Sequence, residues 1–280
     1  MKVIFTLYRN SLVLSGLIIL GIIFLVTLLG PVLAPYDPMN VDPPNKLLPI
    51  SIEHPLGTDI LGRDVFSRLL YGGRIALSMT LVAVACIVFI GISVGVITGY
   101  YSGLIDEVIS SCMNILLGLP GLSFMLAIAG VLGPGIRSLF IALVAVSWVS
   151  FARVVRGEVL KVREAGYIEA ARAVGASNLY IITRYILPNI LGPVLVLATL
   201  RMGNLMLSIA ALSFLGLGVQ PPTPDWAVML NDGRAYFRSH PHQIIAPGLC
   251  IMMVALAANL LGDGLRDLLD VRLNNRKTWD

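Results

Sequence analysis

Residues 76–99 read ALSMTLVAVACIVFIGISVGVITG, a run without a charged side chain. In lipid every backbone amide must bond within its own segment, and a helix of about 20 apolar residues crosses the hydrocarbon layer. This stretch therefore predicts a membrane-spanning helix. The whole chain has the same character, because 57% of its 280 residues are hydrophobic and 13% are charged, against about 25% charged in soluble domains. The composition argues against a soluble globular protein.

Similar charge-poor runs recur along the chain and predict six spans. They lie near 11–33, 76–99, 108–132, 137–152, 190–213 and 244–262. The predicted fold class is an all-α integral membrane protein with six transmembrane helices, the fourth of them short. We divide it into an N-terminal span with an outer linker (1–75) and a main membrane domain (76–280). Six crossings place both termini on one side of the membrane.

The distribution of basic residues predicts which side that is. Cytoplasmic segments of membrane proteins are enriched in Lys and Arg. With the N-terminus inside, 12 of the 20 Lys and Arg residues fall in cytoplasmic segments and 7 in outer ones, so we expect cytoplasmic termini. The net charge of +4 is interpreted as this bias and not as a nucleic-acid footprint. The run 11–33 exceeds the apolar region of a signal peptide, about 7–15 residues, and predicts a retained span.

The sequence presents no catalytic or metal-binding constellation. Cys86, Cys112 and Cys250 each lie within an apolar run and form no C-x-x-C pair. His240 and His242 in an outer loop suggest at most transient metal contact, and simple solvation is the commoner reading of two such histidines. No phosphate-binding G-x-x-x-x-G-K-[ST] loop occurs. We therefore expect no catalytic residue, no metal ligand and no cofactor bound by this chain.

Two segments on the predicted outer side are longer than turns, 34–75 and about 216–243. The first opens with several prolines and predicts an extended linker. The stretch 213–224 is too rich in Gly and Pro to continue a helix. A partial re-entry of that stretch from the outer side is one interpretation, since irregular backbone at membrane depth must be buried in protein or line water.

A polar insertion at 158–188 lies on the predicted cytoplasmic side. Its charged and apolar residues interleave at helical spacing, which predicts two short helices and a turn. Gly175 suits a left-handed C-cap of the first helix and Ser177 an N-cap of the second. Pro188 is expected to stop the second helix before the fifth span. Periodicity alone leaves open a different reading, an amphipathic helix lying on the membrane surface.

The insertion resembles the EAA loop of permease subunits in bacterial ATP-binding-cassette (ABC) importers. Tyr185 stands where that pattern has Ile, a departure that keeps an apolar anchor. The residues that carry the resemblance, and to which it assigns contact with an ATPase subunit, are Glu169, Ala170, Ala171, Gly175, Leu187 and Pro188. The resemblance implies a type I importer permease fold in the inner or plasma membrane of a bacterium or archaeon. It also implies several partners: a second homologous permease, two ATPase subunits that bind ATP and Mg²⁺, and an extracytoplasmic substrate-binding protein.

Two further stretches narrow the resemblance to the dipeptide, oligopeptide and nickel branch of these permeases. One is 54–74, HPLGTDILGRDVFSRLLYGGR, and the other combines 212–226 with 259–267. Without the family, 54–74 predicts a solvated charged helix capped by Thr58 or Asp59, with Asp64 and Arg68 one helical turn apart. The resemblance implies transport of small peptides or of nickel. A dedicated nickel permease and, from another class, a passive channel or scaffold remain alternatives.

Polar residues within spans should face the pathway or a partner subunit, because lipid-facing polar groups are costly. The candidates are Arg201, Asn114, Asn204, Ser208 and Asn259. A midspan arginine is expected to meet an anion, although an internal ion pair or a snorkelling side chain is equally plausible. A pathway arginine would favour a peptide carboxylate over a bare divalent cation. Gly118, Pro120, Gly121 and Pro193 are candidates for helix kinks or, alternatively, for close helix packing.

Overall fold

The computed structural model describes residues 10–277, with side chains as far as residue 269, and this part of the chain is helical without a β-strand. The connections between the helices are irregular apart from two 3₁₀ turns and a π-helical turn, Ile182–Ile186, which joins α8 to α9. The helices are α1 Ser11–Leu28, α2 Gly30–Leu33, α3 Val65–Tyr101, α4 Leu104–Leu117, α5 Gly121–Leu132, α6 Ile136–Arg163, α7 Gly166–Ala173, α8 Asn178–Ile181, α9 Leu187–Phe214, α10 Trp226–Gly233 and α11 His242–Lys277.

Five stretches of helix are long and apolar enough to cross a membrane: α1, α3, α6, α8 to α9 taken together, and α11. The pair α4 and α5 passes the same test jointly but is bent by 88°. Counting that pair as one span gives the six predicted crossings. The break lies at Gly118 to Pro120, where a kink was predicted, and Pro120 precedes the first turn of α5. Proline is accepted there because the first turn of a helix leaves its N–H groups unpaired.

The helices extend further than the predicted spans. α3 begins at Val65 instead of 76, and α6 continues to Arg163 instead of 152, so the expectation of a short fourth span was wrong. The 37 residues of α3 are about 55 Å long at 1.5 Å per residue, well beyond the hydrocarbon layer. Hydropathy detects the part of a helix that lies in lipid, whereas charged turns continue the same helix beyond the membrane.

Helices α3 and α6 run parallel and pack closely through a stripe of glycines. A Cβ atom added at Gly95 would lie 2.7 Å from the carbonyl oxygen of Ala152 and 2.7 Å from the Val155 side chain. Such contact is possible only because glycine has no side chain. The paired positions, in chain order on both helices, are Gly91 with Phe151, Gly95 with Val155 and Gly99 with Val159. Because α3 and α6 point the same way, the bent pair α4–α5 between them returns the chain across the bundle.

The remaining long helices are antiparallel to their neighbours. Gly203 of α9 packs against Ala255 of α11, and Gly192 packs against Leu269. Gly264 of α11 packs in turn against Val13 of α1. These contacts bring the beginning of α1 and residues 164–186 to one end of the bundle, which we call the loop face. Residues 34–64 and 215–241 lie at the other end, the cap face.

The cap face is held by a group of charges, the cap cluster, made of the buried Asp59, Arg63 and Arg68 and the partly exposed Asp232. Nε of Arg63 donates to Asp59 at 2.6 Å, and Arg63 also lies 3.4 Å from Asp232. Arg68 is 3.6 Å from Asp59 and donates to the carbonyl oxygens of Pro38 and Pro222. Burial raises the pKa of the Asp232 carboxyl, partly opposed by the two arginines. The cluster joins the N-terminal end of α3 to both cap-face segments.

The expectation of a solvated helix at 54–74 was therefore wrong. Arg68 is 1% exposed and Asp64 is 2% exposed. Helix α3 is capped by Asp64, whose carboxylate accepts from the Ser67 N–H at 2.7 Å, and not by Thr58 or Asp59. The side chains of Asp64 and Arg68 do not pair, because Asp64 contacts His54 at 2.9 Å while Arg68 contacts Asp59. Charged residues that neutralise one another across segments can be buried, which a charge count along one segment cannot reveal.

Candidate functional site: the coupling loop and a polar stripe

The loop-face insertion contains the two predicted short helices. Its first helix, α7, ends in a left-handed cap at Gly175, with φ +83°. The Ala176 N–H donates to the Ala171 carbonyl at 3.0 Å, and the Gly175 N–H donates to the Arg172 carbonyl, a Schellman arrangement that satisfies the last carbonyls. Ser177 caps α8 by accepting from the Tyr180 N–H at 3.4 Å. Both predicted caps are confirmed.

The ends of the insertion differ from the prediction. Residues 158–163 belong to α6, so the loop itself covers 164–186. Pro188 does not stop the second helix, because α8 continues through the π-helical turn into α9. Pro188 lies in the first turn of α9, and a wide turn before it accommodates the missing N–H. The loop is thereby joined to α9 by continuous helical backbone.

The residues of the EAA pattern divide between two surfaces of α7. Ala171 is buried against the bundle together with Ile168. Glu169, Ala170 and Gly175 are exposed. Large apolar side chains surround the exposed residues: Val174 is 84% exposed and Leu179 is 71% exposed, and Tyr167 and Tyr180 are each about half exposed. The loop face therefore carries an apolar patch that includes one acidic side chain, Glu169, and one basic side chain, Arg172.

A buried tyrosine ties this loop to α3. The Tyr100 hydroxyl donates to Oδ1 of Asn178 at 2.8 Å, and the Arg172 guanidinium lies 5.5 Å from the centre of the Tyr100 ring, within cation–π range. Arg163 at the end of α6 donates to the carbonyl oxygens of Gly99 and Tyr100. The end of α3 is thus joined to the end of α6 and to both sides of the loop turn. Sequence reasoning missed these residues, since a tyrosine at the end of a span has many ordinary explanations.

An ion pair fixes the loop-face end of the bent pair. Arg156 of α6 donates through Nε and Nη2 to the two carboxylate oxygens of Asp106 in α4, each at 2.6 Å. A bidentate pair of this kind restricts orientation as well as distance. Its members are 50 positions apart in the sequence, so spacing along the chain gives no signal for the contact.

The candidate pathway residues do not form one cluster. Arg201 donates through Nη2 to Oγ of Ser150 in α6 at 2.7 Å. Asn204 is exposed and Ser208 is partly exposed, and both follow Arg201 on one face of α9 at helical spacing. Asn259 lies beside Gly203 at the contact between α9 and α11. Asn114, exposed on α4, makes no side-chain hydrogen bond with any described residue. We call Arg201, Asn204 and Ser208 the polar stripe.

No group of three potential metal ligands occurs among the described residues. The His240 and His242 rings are 5.8 Å apart, and Nε2 of His240 faces the Leu47 carbonyl at 3.0 Å. His240 therefore helps to fasten the outer linker. The free cysteines Cys86, Cys112 and Cys250 are distributed over three helices.

The sequence also matches known transport proteins. Residues 91–275 match the family model described as binding-protein-dependent transport system inner membrane component. The chain belongs to this family. Residues 2–49 match the N-terminal transmembrane domain of oligopeptide transport permease C. The chain is a multi-pass membrane protein of the ABC importer permease class, and family members are transporter subunits.

Proteins named as transport permeases are similar to this chain over almost its full length. A protein named dipeptide transport system permease protein DppC, from Alkalihalophilus pseudofirmus, is 41% identical over 96% of this chain and 88% of its own length. The glutathione transport system permease protein GsiD of Escherichia coli is 41% identical over 95% of this chain and 88% of its own length.

A solved structure shares the fold. A chain from inward-facing MetNI, a methionine ABC transporter, matches 71% of this permease and 95% of its own length with a TM-score of 0.56 and 22% identity. At that identity the likeness concerns the fold alone. It agrees with the all-helical membrane architecture expected from the sequence.

Proposed function

We propose that this permease forms, with a second homologous permease, the membrane pathway for short peptides, and that residues 164–186 couple it to separate ATPase subunits. The observation that carries the proposal is the exposed apolar patch around Glu169, which is fixed to the ends of α3, α6 and α9. The names of the relatives, which refer to dipeptide and glutathione transport, favour peptides as the cargo. ATP and Mg²⁺ would be bound by the ATPase subunits, since this sequence has no phosphate loop.

The contacts of the loop suggest how motion reaches the membrane. An ATPase that holds the patch would move α7 and α8 as it closes on ATP. The Tyr100 hydroxyl and the Arg163 guanidinium would carry that displacement to α3 and α6, and the π-helical turn would carry it to α9. Alternating access would follow as these helices tilt together.

The charge distribution favours a cytoplasmic loop face. The loop face then meets the ATPases, and both termini lie in the cytoplasm, in accord with the excess of basic residues there. The cap face would receive peptide from an extracytoplasmic binding protein. A midspan cation such as Arg201 disfavours a bare divalent metal ion, which is our reason for preferring peptides to free nickel.

The coupling role is tested by Glu169→Lys and Gly175→Pro in the complex reconstituted with its binding protein. We expect peptide uptake to fall at least tenfold, roughly the effect of 1.4 kcal/mol of lost docking energy, because the first variant reverses the only acidic side chain of the patch and the second cannot adopt the positive φ of the cap.

Glu107→Lys is the matched control, since Glu107 is exposed in the first turn of α4, at the same end of the bundle but outside residues 164–186. Its uptake should remain close to that of the wild type, and both permeases should co-purify in all three variants. Normal uptake by both Glu169→Lys and Gly175→Pro would refute the coupling role.

A further inference from the structure

Arg201 lies half-way along α9 and donates to Ser150, which lies half-way along α6. The bond to Ser150 uses one of the five N–H donors of the guanidinium. No carboxylate of residues 10–269 lies within ion-pair distance of Arg201; the ion pairs of this part of the chain involve other residues. A charge at the middle of a span is costly unless it meets a partner or water. The charge of Arg201 is therefore not neutralised by a carboxylate of residues 10–269 and is available to another partner.

The neighbours of Arg201 on the polar stripe can also form hydrogen bonds. Asn204 and Ser208 follow at positions i+3 and i+7, and neither is buried. The seven steps from Arg201 to Ser208 cover about 10 Å of helix axis at 1.5 Å per residue. Three residues of extended peptide cover about the same distance at roughly 3.3–3.6 Å each. The stripe thus matches a short peptide in length, with a cation at one end.

We propose that the polar stripe is a peptide-binding site within the membrane, in which Arg201 binds the C-terminal carboxylate and Asn204 and Ser208 bind backbone amide groups. A permanent ion pair with an acidic residue of another subunit would use the guanidinium but not the Asn204 amide. The Ser208 hydroxyl already donates to the Asn204 carbonyl at 3.0 Å and keeps its capacity to accept a hydrogen bond. A peptide uses all three, because its carboxylate accepts charge-assisted hydrogen bonds and its amides both donate and accept. The inference rests on the proposed function, since it assigns the cargo to a place in the pathway.

The first test asks whether the Arg201 charge faces an aqueous space and is free. The variant is Asn204→Cys with Cys86, Cys112 and Cys250 replaced by Ala, studied in the assembled complex in lipid nanodiscs. The probes are an anionic and a cationic methanethiosulfonate reagent. The rate at which each modifies the introduced cysteine is divided by its rate of reaction with a free thiol in solution. We expect the introduced thiol to react, with the anionic reagent favoured about tenfold, because a charge in a low-dielectric cleft concentrates ions of opposite sign.

Adding Arg201→Gln should remove that preference. An unreactive thiol would mean that the stripe is packed against protein or lipid, and it would overturn the proposal. Equal rates for the two reagents with Arg201 present would mean that another subunit already neutralises the charge, which would also overturn it. Both outcomes are read with Arg201 intact, so they do not depend on how well an Arg201 variant folds.

The second test measures uptake of radiolabelled trialanine by proteoliposomes, together with ATP hydrolysis stimulated by the binding protein. Arg201→Gln should lower uptake at least about tenfold at low peptide concentration, the usual scale for a lost charge-assisted bond, while stimulated ATP hydrolysis persists. Arg201→Lys should retain part of the uptake. Arg137→Gln, at an exposed arginine at the start of α6, controls for the loss of one positive charge.

The two proposals fail in different ways. Unchanged trialanine uptake by Arg201→Gln would refute the peptide site but leave the coupling role standing. Loss of coupling in Glu169→Lys concerns the ATPase contact and does not depend on Arg201. Dissociation of the two permeases in Arg201→Gln would identify a structural ion pair and would count against the peptide site.

Discussion

The carboxylate of Asp225 stabilises the fold through its hydrogen bonds, but its negative charge is destabilising because it is buried. Its carboxylate accepts from the N–H groups of Ala227 and Val228 at 2.9 and 3.2 Å and so caps α10. The side chain is 1% exposed, and burial raises the pKa of its carboxyl despite these two bonds. The acceptor oxygen is therefore what the fold requires, while the negative charge is costly.

This conflict predicts different effects for two substitutions. Asp225→Ala removes the cap and should destabilise the protein by about 1–2 kcal/mol, whereas Asp225→Asn keeps an acceptor and loses the charge. Because the folded state binds the proton more tightly, the stability contributed by Asp225 is complete below the ordinary carboxyl pKa and decreases as pH rises through the raised value. The unfolding midpoint of Asp225→Asn should thus rise relative to that of the wild type as pH increases above the ordinary carboxyl pKa of about 4.

Thermal unfolding of the purified complex at several pH values measures this difference, and titration of the partner subunits cancels between variant and wild type. If the unfolding midpoint of Asp225→Asn instead falls relative to that of the wild type as pH rises, the raised pKa of Asp225 is contradicted.

At the scale of elements, helices α3 and α6 make a close backbone contact. It depends on Gly91, Gly95 and Gly99, which follow one another at four-residue spacing and form one face of α3. In a membrane, helix association relies on close packing because lipid is as apolar as the side chains. The parallel pair is expected to behave as one rigid unit that the loop moves as a whole.

Two Gly→Ala substitutions on these partner helices separate packing from helix propensity. Gly95→Ala places a methyl group 2.7 Å from the Ala152 carbonyl and should destabilise the protein by about 1–3 kcal/mol. Gly157→Ala on α6 meets no atom within 4 Å and should stabilise it by about 0.5–1 kcal/mol through lower backbone entropy. Unfolding midpoints of the complex provide the comparison. Equal shifts in the same direction would disprove tight packing at Gly95.

For the whole molecule, the test concerns the number of crossings. Ile52 on the cap face is fully exposed, and Val174 on the loop face is 84% exposed. In a background in which the three native cysteines are replaced by alanine, a membrane-impermeant maleimide should label Ile52→Cys in intact spheroplasts. It should label Val174→Cys only in inverted vesicles. Labelling of both variants from one side would contradict six crossings and the role of α4–α5 as a span.

The sequence predicted the parts of this structure that local chemistry determines. The spans follow from the requirement for apolar runs in lipid, and the caps at Gly175 and Ser177 follow from backbone geometry a few residues long. The continuation of helix through Pro188 was missed, because a π-helical turn depends on packing against the bundle. The burial of Arg68 was missed for a related reason, since its partners Asp59, Pro38 and Pro222 come from three segments.

Within the candidate site, too, the sequence predicted local features and missed contacts between distant segments. The exposed position of Glu169 agrees with a docking residue, and the contact itself stays a prediction. The hydrogen bond between Tyr100 and Asn178 joins residues 78 positions apart and leaves no periodic trace. The five pathway candidates came from polarity alone, which cannot tell that Arg201, Asn204 and Ser208 share a face while Asn114 and Asn259 lie elsewhere.

The π-helical turn at Ile182–Ile186 has a mechanical consequence. A flexible linker between α8 and α9 would absorb a displacement of α8 without moving α9. A continuous helical backbone transmits that displacement and can rotate α9. Rewinding a π turn to ordinary α geometry advances the following helix by one residue, an azimuthal change of about 100°. The same local rearrangement, which lengthens this joint by about 1.5 Å, would therefore turn the guanidinium of Arg201 from one side of the α9 axis toward another.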